Sequence, residues 1–197
     1  MRLLAGLRET DRTVTKRAAS RIPAGVGRAL SAVEEAAEGS KLWLGAATMM
    51  AWLGGWRGRK AAAVGVAAVA VAQLVSNGLC KQLADRPRPP REWIPHDEVD
   101  DRPQSSSFPS GHTAAAVAFT ASVAPSWPLA GGLCAGPAVM VVVERVQSGA
   151  HYPSDVAAGA AIGLASAWLV RRAPCLWLRR RSEPAHLLTA AIRVRSW

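Results

Sequence analysis

The chain has 197 residues and a formal net charge of +10; half of its residues are hydrophobic, 6% aromatic and 19% charged. That length fits one domain, and an apolar half rich in Ala, Val, Leu and Gly suits closely packed membrane helices. A basic balance alone would admit nucleic acid, but the Arg clusters flank apolar runs and no zinc-finger spacing or basic-region heptad occurs, so juxtamembrane anchoring is expected and nucleic acid is not a partner. Cys80, Cys134 and Cys175 are widely spaced, odd in number and set among apolar neighbours, which argues against a disulfide framework or a metal knuckle.

Residues 1–40 carry seven basic side chains between Arg2 and Arg28, then Glu34, Glu35 and Glu38. This pattern predicts an amphipathic helix at a membrane surface. The Leu3–Leu7 patch is too short for a signal-peptide core, so insertion falls to the internal spans. Leu42 to Gly55, with Trp43 and Trp52, ends at Trp56 before Arg57, Arg59 and Lys60, and predicts a short span with an aromatic and basic stop. Ala61 to Cys80 holds no charge and at about 1.5 Å per residue reaches about 30 Å, the thickness of a hydrocarbon core.

The segment from Gln82 to Ser107 contains Pro87, Pro89, Pro90, Pro95 and Pro103 and is read as a loop. From Thr113 to Val143 there is no Asp, Glu, Lys, Arg or His; at a usual charged frequency of about 25% such a run arises by chance roughly once in ten thousand trials. Pro125 to Pro128 turns the chain in its middle and predicts two antiparallel helices. Val156 to Val170 is the last apolar run, stopped by Arg171 and Arg172.

The expected fold is therefore all-α: a polytopic transmembrane bundle of about five spans (41–172), preceded by an amphipathic surface helix (1–40) and followed by a basic tail (173–197). Runs near fifteen residues also suit core helices of a soluble protein. These runs, however, lack the polar stripe that the outer helices of a soluble bundle need. Nothing in the sequence fixes an oligomeric state.

Three polar clusters fall where the spans emerge, and alternate crossing puts them at one face: Lys81 to Pro89, Pro109 to His112, and Arg145 to Asp155. Lys81, Arg88 and Arg145 supply fixed positive charge for the non-bridging oxygens of a phosphate. Ser110 and Gly111 open a helix whose first backbone N–H groups and dipole favour an anion. Of the two histidines, His151 can attack phosphorus while His112 serves as general acid and then as base for water. Asp155, four residues on, can orient the His151 imidazole. His96, Asp97, Glu98, Asp100 and Asp101 are read as a solvated loop rather than a cation site, and His186 as structural.

Lys81, six residues, Arg88-Pro89; Pro109-Ser110-Gly111-His112; and Arg145, five residues, His151, three residues, Asp155 together resemble the three-part signature of type 2 phosphatidic acid phosphatases. The resemblance covers residues 81–155. It implies a helical bundle with a phosphohistidine intermediate on His151, His112 as acid, Asp155 supporting His151, and phosphate held by Lys81, Arg88, Ser110, Gly111 and Arg145. It implies no cofactor and no metal. One departure stands out: Glu144 precedes Arg145 where the family has Ser, and a carboxylate there either pairs with Arg145 and weakens its hold on phosphate or points elsewhere on the helix. Arg86-Pro87 offers a second Arg-Pro pair, but the six-residue spacing selects Arg88.

The expected activity is metal-independent hydrolysis of a lipid phosphate or diphosphate, the bilayer and that lipid being the partners. Polyprenyl diphosphates and phosphorylated polyprenyl lipids lead by analogy with small cell-envelope members; phosphatidic acid and phosphatidylglycerol phosphate follow. The rival classes are a catalytically silent membrane scaffold or lipid-binding protein, and a soluble acid phosphatase with the same motifs. Arg57, Arg59, Lys60, Arg171, Arg172 and Arg179 to Arg181 lie opposite the motifs, so the positive-inside rule predicts a multi-pass cell-membrane protein with its active site on the extracytoplasmic face. The basic stretch before residue 29 pulls the other way.

Overall fold

The computed structural model describes residues 2–21, 23–94 and 105–182. The stretch with His96, Asp97, Glu98, Asp100 and Asp101, together with His186 and the residues from 183 on, lies outside the described residues. Among the described residues every regular element is helical: α1 (Arg2–Arg21), α2 (Ala24–Ala37), α3 (Lys41–Leu53), α4 (Gly55–Gln73), a π-helical stretch Leu74–Cys80 running into α5 (Lys81–Leu83), then α6 (Gly111–Val123), α7 (Pro128–Gln147) and α8 (Pro153–Ser182).

Local chemistry sets the breaks between them. α2 and α3 are separated at Gly39 and Ser40, both at left-handed φ. Gly55 turns α3 into α4 at φ 55, a conformation open to glycine at little cost. Ser110 caps α6 by accepting from the backbone N–H of Thr113. Pro128 starts α7 where its missing N–H costs nothing.

α6 is the axis of the bundle. Its small residues, among them Ala114, Ala116 and Ala118, are fully buried between α4, α7 and α8. Gly159 and Gly163 let α8 approach until side chains there would strike the carbonyls of Ser110 and Ala114. Trp43 and Phe119, both buried, meet with ring centroids 5.6 Å apart and tie α3 to the axis.

The outward surface is apolar. Trp52 is 83% exposed and Leu83 87%, and Leu53, Trp56, Leu129, Leu133 and Trp168 are exposed as well. A water-facing bundle would place polar side chains there, so lipid is the solvent these helices match. Among the described residues three segments are long and apolar enough to cross a membrane: Gly55–Leu83, Pro128–Gln147 and Pro153–Ala173. The other two expected spans correspond to α3 and α6, each of 13 residues and so about 20 Å long. The chain is a membrane protein, all-helical in its described residues.

Polar and basic groups segregate to the two ends. At one end the Arg57 Nε donates to the Ser126 carbonyl (2.8 Å) and Arg171 Nη1 to the Ser122 carbonyl (3.1 Å). At the other end meet the close of α4–α5, the start of α6, the close of α7 and the start of α8. α1 and α2 rest on that second end, packed on α7 and α8.

Candidate active site

The three sequence clusters converge at this second end. The backbone N–H of His151 donates to the Arg145 carbonyl (2.9 Å), and that of Ser110 to the Asp155 carbonyl (3.1 Å), stitching all three helix ends together. The α7–α8 turn closes over Gly149 at φ 62, which sets the five-residue separation of Arg145 from His151. Arg88 Nη1 donates to the Ala150 carbonyl at 2.7 Å, holding the proline-rich loop against the same turn.

His151 is 3% exposed. Its Nδ1 lies 2.5 Å from the Ser107 carbonyl oxygen, which can only accept. Nδ1 therefore carries the proton, and the lone pair sits on Nε2. Asp155 Oδ2 is 4.0 Å from Nδ1, beyond hydrogen-bond range. The reason is competition: that oxygen accepts from the Tyr152 backbone N–H at 2.9 Å, while Oδ1 accepts from Arg86 Nη1 at 2.5 Å. Asp155 thus builds the turn under His151, and Ser107 fixes the tautomer.

Arg86 and Arg88 divide the work that the two Arg-Pro pairs left open. Arg86 points away from the imidazoles, its Nη1 reaching Ser154 Oγ (2.7 Å) and Asp155, its Nη2 reaching Asp11 Oδ2 of α1 (2.7 Å). Asp11, 2% exposed, also accepts from the backbone N–H and hydroxyl of Ser154. Arg88 lies on the histidine side of the turn, bonded to the carbonyl of Ala150, the residue before His151.

Burial first, then Arg145, Lys81 and Arg88, lowers the pKa of His112 to about 4; His112 sits ahead of the apolar run that begins at Thr113. His151 is lowered well below 6.5 by burial and then by the same three cations, Arg88 foremost, against the raising effect of Ser107. His112 is therefore neutral at neutral pH. Because the unfolded chain takes up a proton near 6.5 that folded His112 refuses until about 4, stability at this residue is present above 6.5 and lost as pH falls through that window. Thermal melts across the window should show a shallower loss for His112→Asn than for the parent.

Gly111 admits Asn77 of the π-helical stretch, whose side chain would collide with any Cβ there. π-helical turns gather at functional sites, and this one ends at Lys81. Arg145 is held by two carboxylates: its Nε bonds Glu144 Oε2 at 2.5 Å and its Nη2 bonds Glu34 Oε1 of α2 at 2.7 Å. The same Glu34 oxygen lies 3.7 Å from His112 Nε2. Burial raises the Glu34 pKa, with Arg145 opposing. The Glu144–Arg145 pairing is the first of the two outcomes the sequence left open; Asp11, Glu34 and Ser107 carried no local signal that placed them here.

The geometry defines a class: a membrane-embedded helical bundle with two imidazoles, three cations and a helix start gathered at one end. The sequence model of the PAP2 superfamily matches residues 61–179. The chain belongs to the PAP2 superfamily. It is 46% identical over 57 residues to lipid A 1-phosphatases of Rhizobium etli and Rhizobium johnstonii, a stretch that is 29% of this chain and 25% and 23% of theirs. The match thus spans about a quarter of the length of these curated relatives. Its fold is that of the transmembrane PAP2-type phosphatidylglycerolphosphate phosphatase of Bacillus subtilis (TM-score 0.60, 21% identity, 84% of this chain and 85% of that one) and of LpxE from Aquifex aeolicus (TM-score 0.65, 21% identity, 81% and 93%).

Proposed function

We propose that the chain hydrolyses a phosphate ester or diphosphate of a membrane lipid through a phosphohistidine on His151. One observation carries the proposal: Arg145 accepts the His151 backbone N–H at its carbonyl and meets, at its guanidinium, the Glu34 oxygen that lies 3.7 Å from His112, so both histidines gather about one cation. The cup's charge matches the oxygens of a phosphoryl group, and the α6 start, Ser110 and Gly111, offers backbone N–H groups to the same anion. Family membership supports the same chemistry.

In this mechanism His151 Nε2 attacks phosphorus, forming a P–N bond as the P–O bond to the lipid breaks. His112, protonated in the complex with the anionic phosphate, gives its proton to the departing oxygen. Water then attacks the phosphohistidine while His112 takes up its proton, the P–N bond breaks and orthophosphate leaves. Arg86 and Asp155 hold the turn that aims His151.

The proposed arrangement is a multi-pass protein of five spans, residues 41–172, with α1 and α2 at the membrane surface on the catalytic side and a basic tail from 173. The positive flanks at the far end, Arg57 and Arg171 among them, favour an extracytoplasmic cup. The lipid tail has a place in an apolar cavity of about 340 Å³ between α3 and α7, lined by Leu42, Trp43, Met50, Trp127, Leu133 and Pro137.

Purified protein in detergent should release phosphate with EDTA present, since the charge that a metal would supply comes from Lys81, Arg88 and Arg145. A panel of long-chain polyprenyl diphosphate, phosphatidic acid, phosphatidylglycerol phosphate, lipid A 1-phosphate and a soluble phosphomonoester ranks the substrates. Turnover of the soluble ester above all the lipids would defeat the lipid assignment. The Glu144–Arg145 pair favours a second reading, a silent lipid-binding protein, and absence of turnover on the whole panel would select it.

A further inference from the structure

Arg145 would meet a phosphate best through its Nε/Nη2 edge, the fork that takes two oxygens of one anion. In the structure two carboxylates split that fork, Glu144 on Nε and Glu34 on Nη2. They differ in how they are held. Glu144 is adjacent in sequence and 4% exposed. Glu34 comes from a separate helix and keeps a partly exposed side chain.

α2 itself is held by packing rather than by chain continuity. The left-handed Gly39 and Ser40 break it from α3, while buried Leu30 and Ala37 and the packing of α2 on α7, close enough that a Cβ at Gly27 would crowd the Gln147 side chain, seat it on the bundle. Glu34 Oε1 is shared between Arg145 Nη2 and the vicinity of His112 Nε2, the nitrogen that would face a leaving oxygen. A phosphoryl oxygen in the cup would need the same two partners.

We propose that Glu34 is an internal competitor for the phosphate position: its carboxylate fills the arm of the cup between Arg145 and His112 when no phosphate is bound, and gives way when one enters. The inference rests on the cup being a phosphate site. Three cations and a helix start would otherwise hold product orthophosphate tightly. A carboxylate that returns to Arg145 as phosphate departs lowers that grip and speeds release. It also sets a threshold, because a weakly charged head group displaces a carboxylate from a guanidinium less readily than a phosphate dianion does.

The test is orthophosphate binding, read as the phosphate-dependent rise in melting temperature of the full chain in detergent, for the parent, Glu34→Gln and Glu34→Ala. A charge-assisted hydrogen bond contributes about 1.5–3 kcal/mol, so half-saturation should move to at least about tenfold lower phosphate in both variants. Glu34→Gln keeps the shape of the side chain and so guards against a folding defect. Inhibition of hydrolysis by orthophosphate should tighten in parallel. Unchanged or weaker phosphate binding in both variants overturns the inference, as does a role in which Glu34 merely props His112, since that role predicts a lower kcat with no gain in phosphate affinity. The two proposals fail separately. A parent that binds phosphate, with tighter-binding variants but no turnover on any lipid, loses the catalytic proposal alone; a parent that turns over with variants of unaltered phosphate affinity loses this one alone.

Discussion

Replacing His151 by Ala should lower phosphate release by about 10⁴-fold or more while leaving the bundle folded, the largest kinetic effect expected of any single change. The imidazole is buried with its Nδ1 fixed on the Ser107 carbonyl, so one nitrogen is presented in one tautomer. His112→Ala should cost less, about 10²–10⁴-fold, because water can replace a general acid in part. Steady-state release from a lipid phosphate in detergent checks both. Equal release by His151→Ala and the parent would remove the nucleophile assignment.

The two Arg-Pro pairs should separate stability from catalysis. Arg86→Ala leaves Asp11 (2% exposed) and Asp155 (0%) without their shared cation. Uncompensated buried charge of this kind costs about 3–5 kcal/mol, a fall in melting temperature on the order of 10 °C for a chain of this size. Arg88→Ala removes hydrogen bonds to the Ala150 and Ser105 carbonyls, a loss of about 1–3 kcal/mol, but takes a positive charge from the cup itself. Its expected signature is a smaller fall in melting temperature with release down by about 10²–10³-fold. Melting curves and turnover measured side by side on the two variants make the comparison. A reversal, with Arg88→Ala the less stable and Arg86→Ala the slower but stable protein, would contradict the assignment of the two guanidinium groups.

Sequence and structure agree most closely where the signal is local. The uncharged run from Ala61, the proline break at 125–128 and the Ser110-Gly111 helix start are properties of adjacent residues, and each lies in or bounds a helix at the expected place. The spacing of Arg145 and His151 likewise translates into one closed turn, because the geometry is contained in six residues and one left-handed glycine. The partners of those residues were less legible. Asp11, 143 residues before Ser154, belongs to a segment whose charges look like a solvated helix face, and its burial depends on α1 folding back over the end of the bundle. Glu34 carries no motif, and only the packing of α2 on α7 brings it to Arg145.

The role of Asp155 illustrates the same limit from another side. Its separation from His151 by four residues fits a direct hydrogen bond, yet the carboxylate is drawn off by Arg86 and the Tyr152 N–H, and a main-chain carbonyl from a distant loop takes Nδ1. Backbone acceptors leave no trace in residue identity. A spacing pattern names which side chains meet; it does not say which atom reaches which.

Covalent labelling tests the central claim most directly. The protein is mixed briefly with a lipid phosphate radiolabelled in its phosphoryl group, quenched in alkali, where phosphohistidine survives, and mapped by peptide. The mechanism predicts label on His151, none in His151→Ala, and persistence of the label in His112→Ala, where water lacks its base. Label on any other residue, or sustained turnover by the parent with none on His151, would contradict it.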